Sequence, residues 1–171
     1  MNQTVLIVGG NRKLDKNIED KIKELGRAKK SLPLELIKKR LLKKEPIVVR
    51  DFKGALKKAS GLALIAEIKK ASPSLGDINR AVAILDQAKV YEQNGASALS
   101  VLTDAHFKGE LGYLKQIKAV TSLPILRKDF IFDPYQIYES KYYGADALLL
   151  IASIVTSDRL RELVDLTHKL G

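Results

Sequence analysis

The chain has 171 residues, enough to bury a sizeable core as one domain with room for an appendage. It has no cysteine, which excludes disulfides and thiolate metal sites, and no apolar run approaches the roughly 20 residues a membrane helix needs. The formal net charge of +10 is localised: residues 11–60 hold 17 Lys and Arg against 7 Asp and Glu, whereas residues 61–171 hold 13 of each.

Residues 1–10, MNQTVLIVGG, carry a short apolar run before two glycines. Asn11-Arg12-Lys13 follows, without GxGxxG spacing and without an acidic residue where a dinucleotide-binding unit would close, so a frayed terminus is expected. From Leu14 the apolar spacing is helical, with Leu14, Ile18, Ile22 and Leu25 on one stripe and Gly26 near its end. Pro33 opens a second helix that turns Leu34, Ile37 and Leu41 inward and ends before Pro46, and Asp51 caps a third over residues 52–59. The basic residues lie along these helices without interleaved aromatics or a nucleic-acid motif, the pattern of a solvated helix surface.

Residues 62–66, LALIA, form the continuous apolar run of a parallel strand buried on both faces. Glu67 and Lys69 are two apart, so on a strand both point to one face, and at the strand's end that face looks into a cleft. Ser72-Pro73-Ser74-Leu75-Gly76 suits a turn with exposed donors for an anion or polar substrate. A helix over residues 81–94 buries Ile84, Leu85, Ala88 and Tyr91 and stops at Gly95, followed by a strand over Ala98–Leu102. A loop over residues 103–109 leads to a helix through Leu111, Leu114 and Ile117, then a strand over Ile125–Lys128. Asp133-Pro134 is an N-cap followed by proline in the first turn, for a helix over residues 135–143 closed by Gly144. A fourth strand, Ala147–Ile151, precedes a helix opened by Thr156 or Ser157 that buries Leu160, Leu163, Val164 and Leu166.

Four consecutive βα units imply an α/β fold, a parallel sheet with helices outside, whose function gathers at the carboxyl ends of the strands. Lys128 stands there between apolar strand residues and Phe130, where partial desolvation suits a general acid. Plainer readings also stand: Glu67 and Lys69 as a structural ion pair, and Lys128 paired with Asp129 or Asp133.

The string IAEIKKASPSLG resembles the first strand and loop of the indole-3-glycerol-phosphate synthase family, with Leu75 where many members carry lysine. SALSVLTD with Phe107 and Gly109 after it, and PILRKDFIFDPYQIYESKYYGADALLLI, are similar to the family's second to fourth strands, and the loop TDAHFKG is one residue shorter than the common form. The resemblance implies a TIM (βα)8 barrel, with residues 61–171 as its first (βα)4 half and residues 1–60 as the family's basic helical extension. It further implies a cytoplasmic carboxy-lyase of tryptophan biosynthesis that needs no cofactor or metal. That enzyme converts 1-(2-carboxyphenylamino)-1-deoxyribulose 5-phosphate into indole-3-glycerol phosphate with loss of carbon dioxide and water. Carried over by position, Lys128 is the general acid at the ketone, Lys69 the cation near the substrate's carboxylate and phosphate, and Glu67 the group holding them in register. Ser72 and Ser74 contact the anionic substrate, and Phe107, Phe130 and Leu149 line the slot for its ring.

A complete barrel takes about 250 residues. The family's carboxylate base on strand five, asparagine on strand six, and phosphate loops of strands seven and eight have no counterpart in these 171 residues. The chain alone is therefore expected to be silent, completed by a complementary half-barrel chain or paired with a second copy through the open edges of its first and fourth strands. The competing readings are a different phosphate-sugar barrel of tryptophan or histidine synthesis, and a non-catalytic self-associating half-barrel. No nucleic-acid or membrane partner is expected. Titration with duplex and single-stranded DNA at physiological salt checks the first of these: the expected outcome is no sequence-dependent affinity, with any binding weaker than about micromolar.

Overall fold

The computed structural model describes residues 5–8, 14–43, 47–72, 76–77 and 84–171. In chain order the elements are β1 (Val5–Val8), α1 (Leu14–Ser31), α2 (Leu34–Lys43), α3 (Phe52–Lys57), β2 (Ile65–Ile68), β3 (Ala71–Ser72), β4 (Gly76–Asp77), α4 (Ile84–Gln93), β5 (Ala98–Leu102), α5 (Gly112–Val120), β6 (Ile125–Lys128), α6 (Pro134–Tyr143), β7 (Ala147–Ile151) and α7 (Ser157–Leu170). Five strands build one parallel sheet in the order β1-β7-β6-β5-β2, and β3 with β4 forms a small antiparallel hairpin. Each parallel crossover from β2 to β7 carries a helix, the arrangement read from the alternation of period-two and period-3.6 segments. No helix among the described residues is long and apolar enough to cross a membrane.

Alternation along the strands sends side chains to two different cores. Ala66, Ile68, Leu99, Val101, Ile125, Leu148 and Leu150 face the crossover helices and pack with Ile84, Ala88, Leu114, Ile117 and Leu163. On the opposite face Ile65, Ala98, Leu126 and Ala147 meet Phe52 and Leu56 of α3, so this short helix fills the amino-terminal end of that face. The cap of α3 is as read: the Asp51 side chain accepts from Gly54 N at 2.8 Å. The Asp133 cap carries a full capping box with Gln136, and Gly144 closes α6 at φ 88°, in the left-handed region that a residue with a Cβ adopts only with strain.

The structure departs from the sequence reading at the first strand. It runs over Ile65–Ile68, three residues later than the apolar run suggests, and it alternates between half-buried and buried positions. Leu62 is 99% exposed and Leu64 54% exposed. The reason is position: β2 lies at the edge of the sheet with β5 as its one neighbour among the described residues, so it has no second strand to bury its leading leucines.

Helix α1 is also turned. Ile22 is 54% exposed, and the inward stripe is Lys21, Leu25, Ala28 and Leu32, with Leu25, Ala28 and Leu32 in the cluster with Ile37 of α2 and Tyr135 of α6. The helix passes through Gly26 to Ser31, because this stripe continues to gain burial beyond the glycine.

Residues 5–8 are not frayed. They pair in parallel with β7 in the register Val5↔Leu148 to Val8↔Ile151, so the strand-four edge that was expected to be open is occupied from within the chain. Among the described residues β1 is the one strand on that side of β7, and it satisfies the backbone groups there.

Asp146, buried at the amino-terminal end of β7, fastens the sheet to the segment before α3. Its carboxylate accepts from Arg50 N at 2.8 Å, Ile125 N at 2.9 Å and Lys118 Nζ at 2.5 Å. Burial opposes the Lys118 charge and pushes its pKa down, against the hydrogen bond from Asp146 that favours it. Replacing Asp146→Ala leaves two backbone donors without their acceptor and takes the counter-charge from Lys118, which keeps the Gly144 carbonyl at 2.9 Å; the expected cost is about 3 kcal/mol, or roughly 10 °C in Tm, read by urea and thermal unfolding.

Candidate active site

Strand β2 ends in Glu67-Ile68 with Lys69 directly after it, and strand β6 ends in Arg127-Lys128. The sheet register sets Glu67 opposite Ser100 and Leu102 opposite Lys128, so β5 is the spacer across which the two charged ends converge. Glu67 is the centre of the group. One carboxylate oxygen takes a close hydrogen bond from Lys128 Nζ, and the other lies 3.2 Å from Lys69 Nζ. The three side chains are 30 to 39% exposed, accessible to a ligand at the carboxyl ends of the strands. Burial alone would push the Glu67 carboxyl up, but the hydrogen bonds and charges of Lys128 and Lys69 outweigh it and hold its pKa below the usual carboxylate range.

The partner of Lys128 is therefore neither Asp129 nor Asp133. Asp129 is taken by Arg127 and Lys21, and Asp133 by Lys29 at 2.8 Å. Nor is Lys128 enclosed by apolar neighbours; its side chain is 39% exposed and ion-paired, because the inner face at this height carries Glu67. Lys70, by contrast, points away and lies 4.5 Å from the centroid of the Tyr113 ring, which separates the roles of the two adjacent lysines.

Of the other residues singled out from the sequence, Phe107 and Phe130 follow β5 and β6 and Leu149 lies near the end of β7. Phe130 is 9% and Leu149 8% exposed, each within two residues of a strand's carboxyl end. Leu149 shares the sheet face of Ala147, the face that also carries Lys128. Phe107 is half-buried in a tight 3-10 turn, Ala105–Phe107, which β3 abuts. The turn is closed by Gly109, where a Cβ would sit 2.5 Å from the Leu102 carbonyl oxygen, so only glycine permits this close approach. Ser72 belongs to β3 and pairs with Gly76; Ser74 lies outside the described residues.

Sequence reasoning missed a second, buried layer of charge directly behind the triad. Arg127, on the opposite face of β6 from Lys128, is 2% exposed and donates to Asp129 at 2.8 Å, Glu139 at 3.0 Å and Ser140 Oγ at 2.9 Å. Asp129 also accepts from Thr103 Oγ1 at 2.7 Å. Burial pushes the Asp129 carboxyl up, yet Arg127 and Lys21 beside it bring it down below the ordinary range; for Glu139 burial, helped by the Asp129 and Glu24 charges, prevails over Arg127 and the shift is upward. The one signal in the sequence was Arg127 itself, a guanidinium in the middle of an apolar strand, which is tolerated only if paired.

The sign of the pH dependence follows from Glu67. Its folded pKa lies below the ordinary 4.5, so the paired carboxylate contributes stability that is complete above that value and is lost as the pH falls below it through the folded pKa. Urea unfolding from pH 7 to pH 3 is expected to show a shallower acid-side loss in Glu67→Gln than in the parent, with a cost of about 1 kcal/mol or less at pH 7 because the group is partly solvated.

Comparison with known proteins identifies the lineage. The family model described as indole-3-glycerol phosphate synthase matches residues 14–171. The chain is 48% identical over 159 residues to the indole-3-glycerol phosphate synthase of Lachnospira eligens, covering 92% of this chain and 58% of that protein. It is 47% identical over 162 residues to that of Dehalococcoides mccartyi, covering 92% and 62%, and 46% identical over 161 residues to that of Legionella pneumophila, covering 94% and 61%. Among solved structures, a thiamine phosphate pyrophosphorylase from Pyrococcus furiosus aligns with a TM-score of 0.48 at 17% identity, over 98% of this chain and 82% of that one. The chain thus spans 58 to 62% of the length of these relatives. With a matched stretch that contains every described member of the lysine and glutamate triad, the chain belongs to the indole-3-glycerol phosphate synthase family.

Proposed function

We propose that this chain supplies the ring-closing half of an indole-3-glycerol phosphate synthase site, built on the first four βα units of a (βα)8 barrel and working in the cytoplasm. The observation that carries the reading is the convergence of Lys69 and Lys128 on Glu67 at the carboxyl ends of β2 and β6. In this reading the ring carbon that bears the carboxylate attacks the ketone carbon, and Lys128 gives its proton to the ketone oxygen as the new bond forms. The carbon–carboxylate bond then breaks, carbon dioxide leaves, and its electron pair restores the aromatic ring. The new hydroxyl takes up a second proton and departs as water, while the carbon between it and the ring nitrogen gives up a proton and that electron pair forms the indole double bond. Lys69 faces the anionic groups of the substrate, Glu67 holds both ammonium groups in place before it arrives, and Ser72, Ser74, Phe107, Phe130 and Leu149 hold the remainder. Two cations at a partly desolvated strand end suit a reaction whose substrate is a dianionic phosphate with a carboxylate and whose transition state needs a proton at oxygen.

Turnover is expected to require the further βα units that the longer relatives have room for. The test is synthase activity of the chain alone and with those units supplied as a separate C-terminal polypeptide. Lys128→Met is expected to lower kcat by 10² to 10⁴-fold in the active form, and retention of more than about a tenth of the parent rate would sink the assignment. Binding of the reduced substrate analogue to the chain alone, weakened by Lys69→Met, supports the site independently of turnover. The self-associating alternative is favoured by a single feature, the β2 edge with its exposed Leu62 and Leu64. A monomer by sedimentation counts against it.

A further inference from the structure

Lys21 of α1 is 2% exposed and is surrounded by carboxylates. Its Nζ lies 2.8 Å from Asp104, 2.9 Å from Asp129 and 2.8 Å from Glu24, of which the first two have side chains 1% exposed. These two aspartates follow β5 and β6, two of the three strands whose ends form the cleft. Asp104 caps the turn that carries Phe107: one of its oxygens accepts from His106 N at 2.9 Å and lies 2.8 Å from His106 Nδ1. His106 Nε2 in turn lies 3.5 Å from Asp20, the neighbour of Lys21 on α1. Asp129 directly follows Lys128 and accepts from Phe130 N at 2.8 Å; its second oxygen takes Thr103 Oγ1 and Arg127. The Lys128 carbonyl accepts from Thr103 N at 3.1 Å. A single buried ammonium thus ties the turn after β5, the segment after β6 and the N-terminal helix into one body.

We infer that Lys21 is a positioning residue for the strand-end cleft, which fixes Phe107, Lys128 and Phe130 relative to one another by holding Asp104 and Asp129 together. The inference rests on the proposed function for what the cleft does, and on geometry alone for how it is held. Asp129 keeps Arg127 if the ammonium is lost, but Asp104 has no other lysine or arginine in an ion pair among the described residues, so the turn after β5 loses its counter-charge inside a low-dielectric seam. Removing Lys29, which joins α1 to Asp133 at the cap of α6 at 2.8 Å on the surface, loosens the same helix without taking a partner from Asp104 or Asp129.

The chain has no tryptophan, so Phe107→Trp and Phe130→Trp each give a single fluorescent reporter of one segment. Each is combined with Lys21→Met, Lys21→Arg and Lys29→Met, and acrylamide quenching is compared at a temperature where circular dichroism shows every variant folded. Lys21→Met is expected to raise quenching at both positions at least about twofold, Lys21→Arg to restore most of it, and Lys29→Met to leave both unchanged. In the background with Phe107 and Phe130 intact, Lys21→Met is expected to weaken the reduced substrate analogue about tenfold. If Lys21→Met does not fold, the double variant Lys21→Met with Asp104→Asn, which removes both charges and keeps a side chain able to cap His106, carries the same comparison. Reporters that do not move in a folded variant, or that move equally with Lys29→Met, overturn the inference. Reporters that move in a parent chain that never binds the analogue leave it standing and overturn the assignment of the reaction instead.

Discussion

A carboxylate buried immediately after Lys128 is the constraint on which the rest of this structure depends. Asp129 cannot stay charged at 4% exposure without donors on every side, and it has them from four directions: the strand before it through Arg127, the neighbouring strand through Thr103, its own following amide, and α1 through Lys21. Breaking one such contact in a buried ionic seam leaves the others with an uncompensated charge, so the segments are held as a set. Because β6 alternates, the strand that sends Arg127 into the seam behind the sheet presents Lys128 in front of it.

The charges in front of the sheet follow a different regime. Glu67, Lys69 and Lys128 are about a third exposed, close enough to fix one another and wet enough that a charged ligand can replace one partner with another. A buried, mutually paired layer thus lies beneath a partly solvated one, the arrangement that the proposed proton transfer would call for.

The N-terminal stretch is joined to the sheet at three levels. Helix α3 fills the amino-terminal end of the inner face with Phe52, α1 and α2 cover α6 around Tyr135, and β1 extends the sheet beyond β7. The last of these lies before residue 14, where the family match begins, so the strand that pairs with β7 belongs to the part of the chain without a counterpart in that match. Tyr135 shows how closely the helical part is fitted: its hydroxyl donates to the carbonyls of Ala28 and Leu32, the last inward turn of α1.

By itself the sequence determined the elements whose signals are local. Strands Ala98–Leu102, Ile125–Lys128 and Ala147–Ile151, the caps at Asp51 and Asp133, and the stop at Gly144 all depend on residues within a few positions of one another, and the Glu67 and Lys69 pair is set by the period of a strand. Only the tertiary structure decided which cation meets which carboxylate. Lys21 reads as one more lysine on a basic helix, and a stripe through Ile22 is the natural choice from hydrophobic spacing. What turns the helix is a pair of aspartates over 80 residues away, Asp104 and Asp129, which require an ammonium in that seam. The same holds for Lys128, whose partner Glu67 is separated by 61 residues of chain and becomes adjacent only when β5 sets the distance between the two strands. Backbone pairing likewise placed Val5–Val8: the apolar run specifies a strand, but the unpaired edge of β7 supplies its neighbour, and no pattern within eight residues can encode an edge made by the far end of the chain.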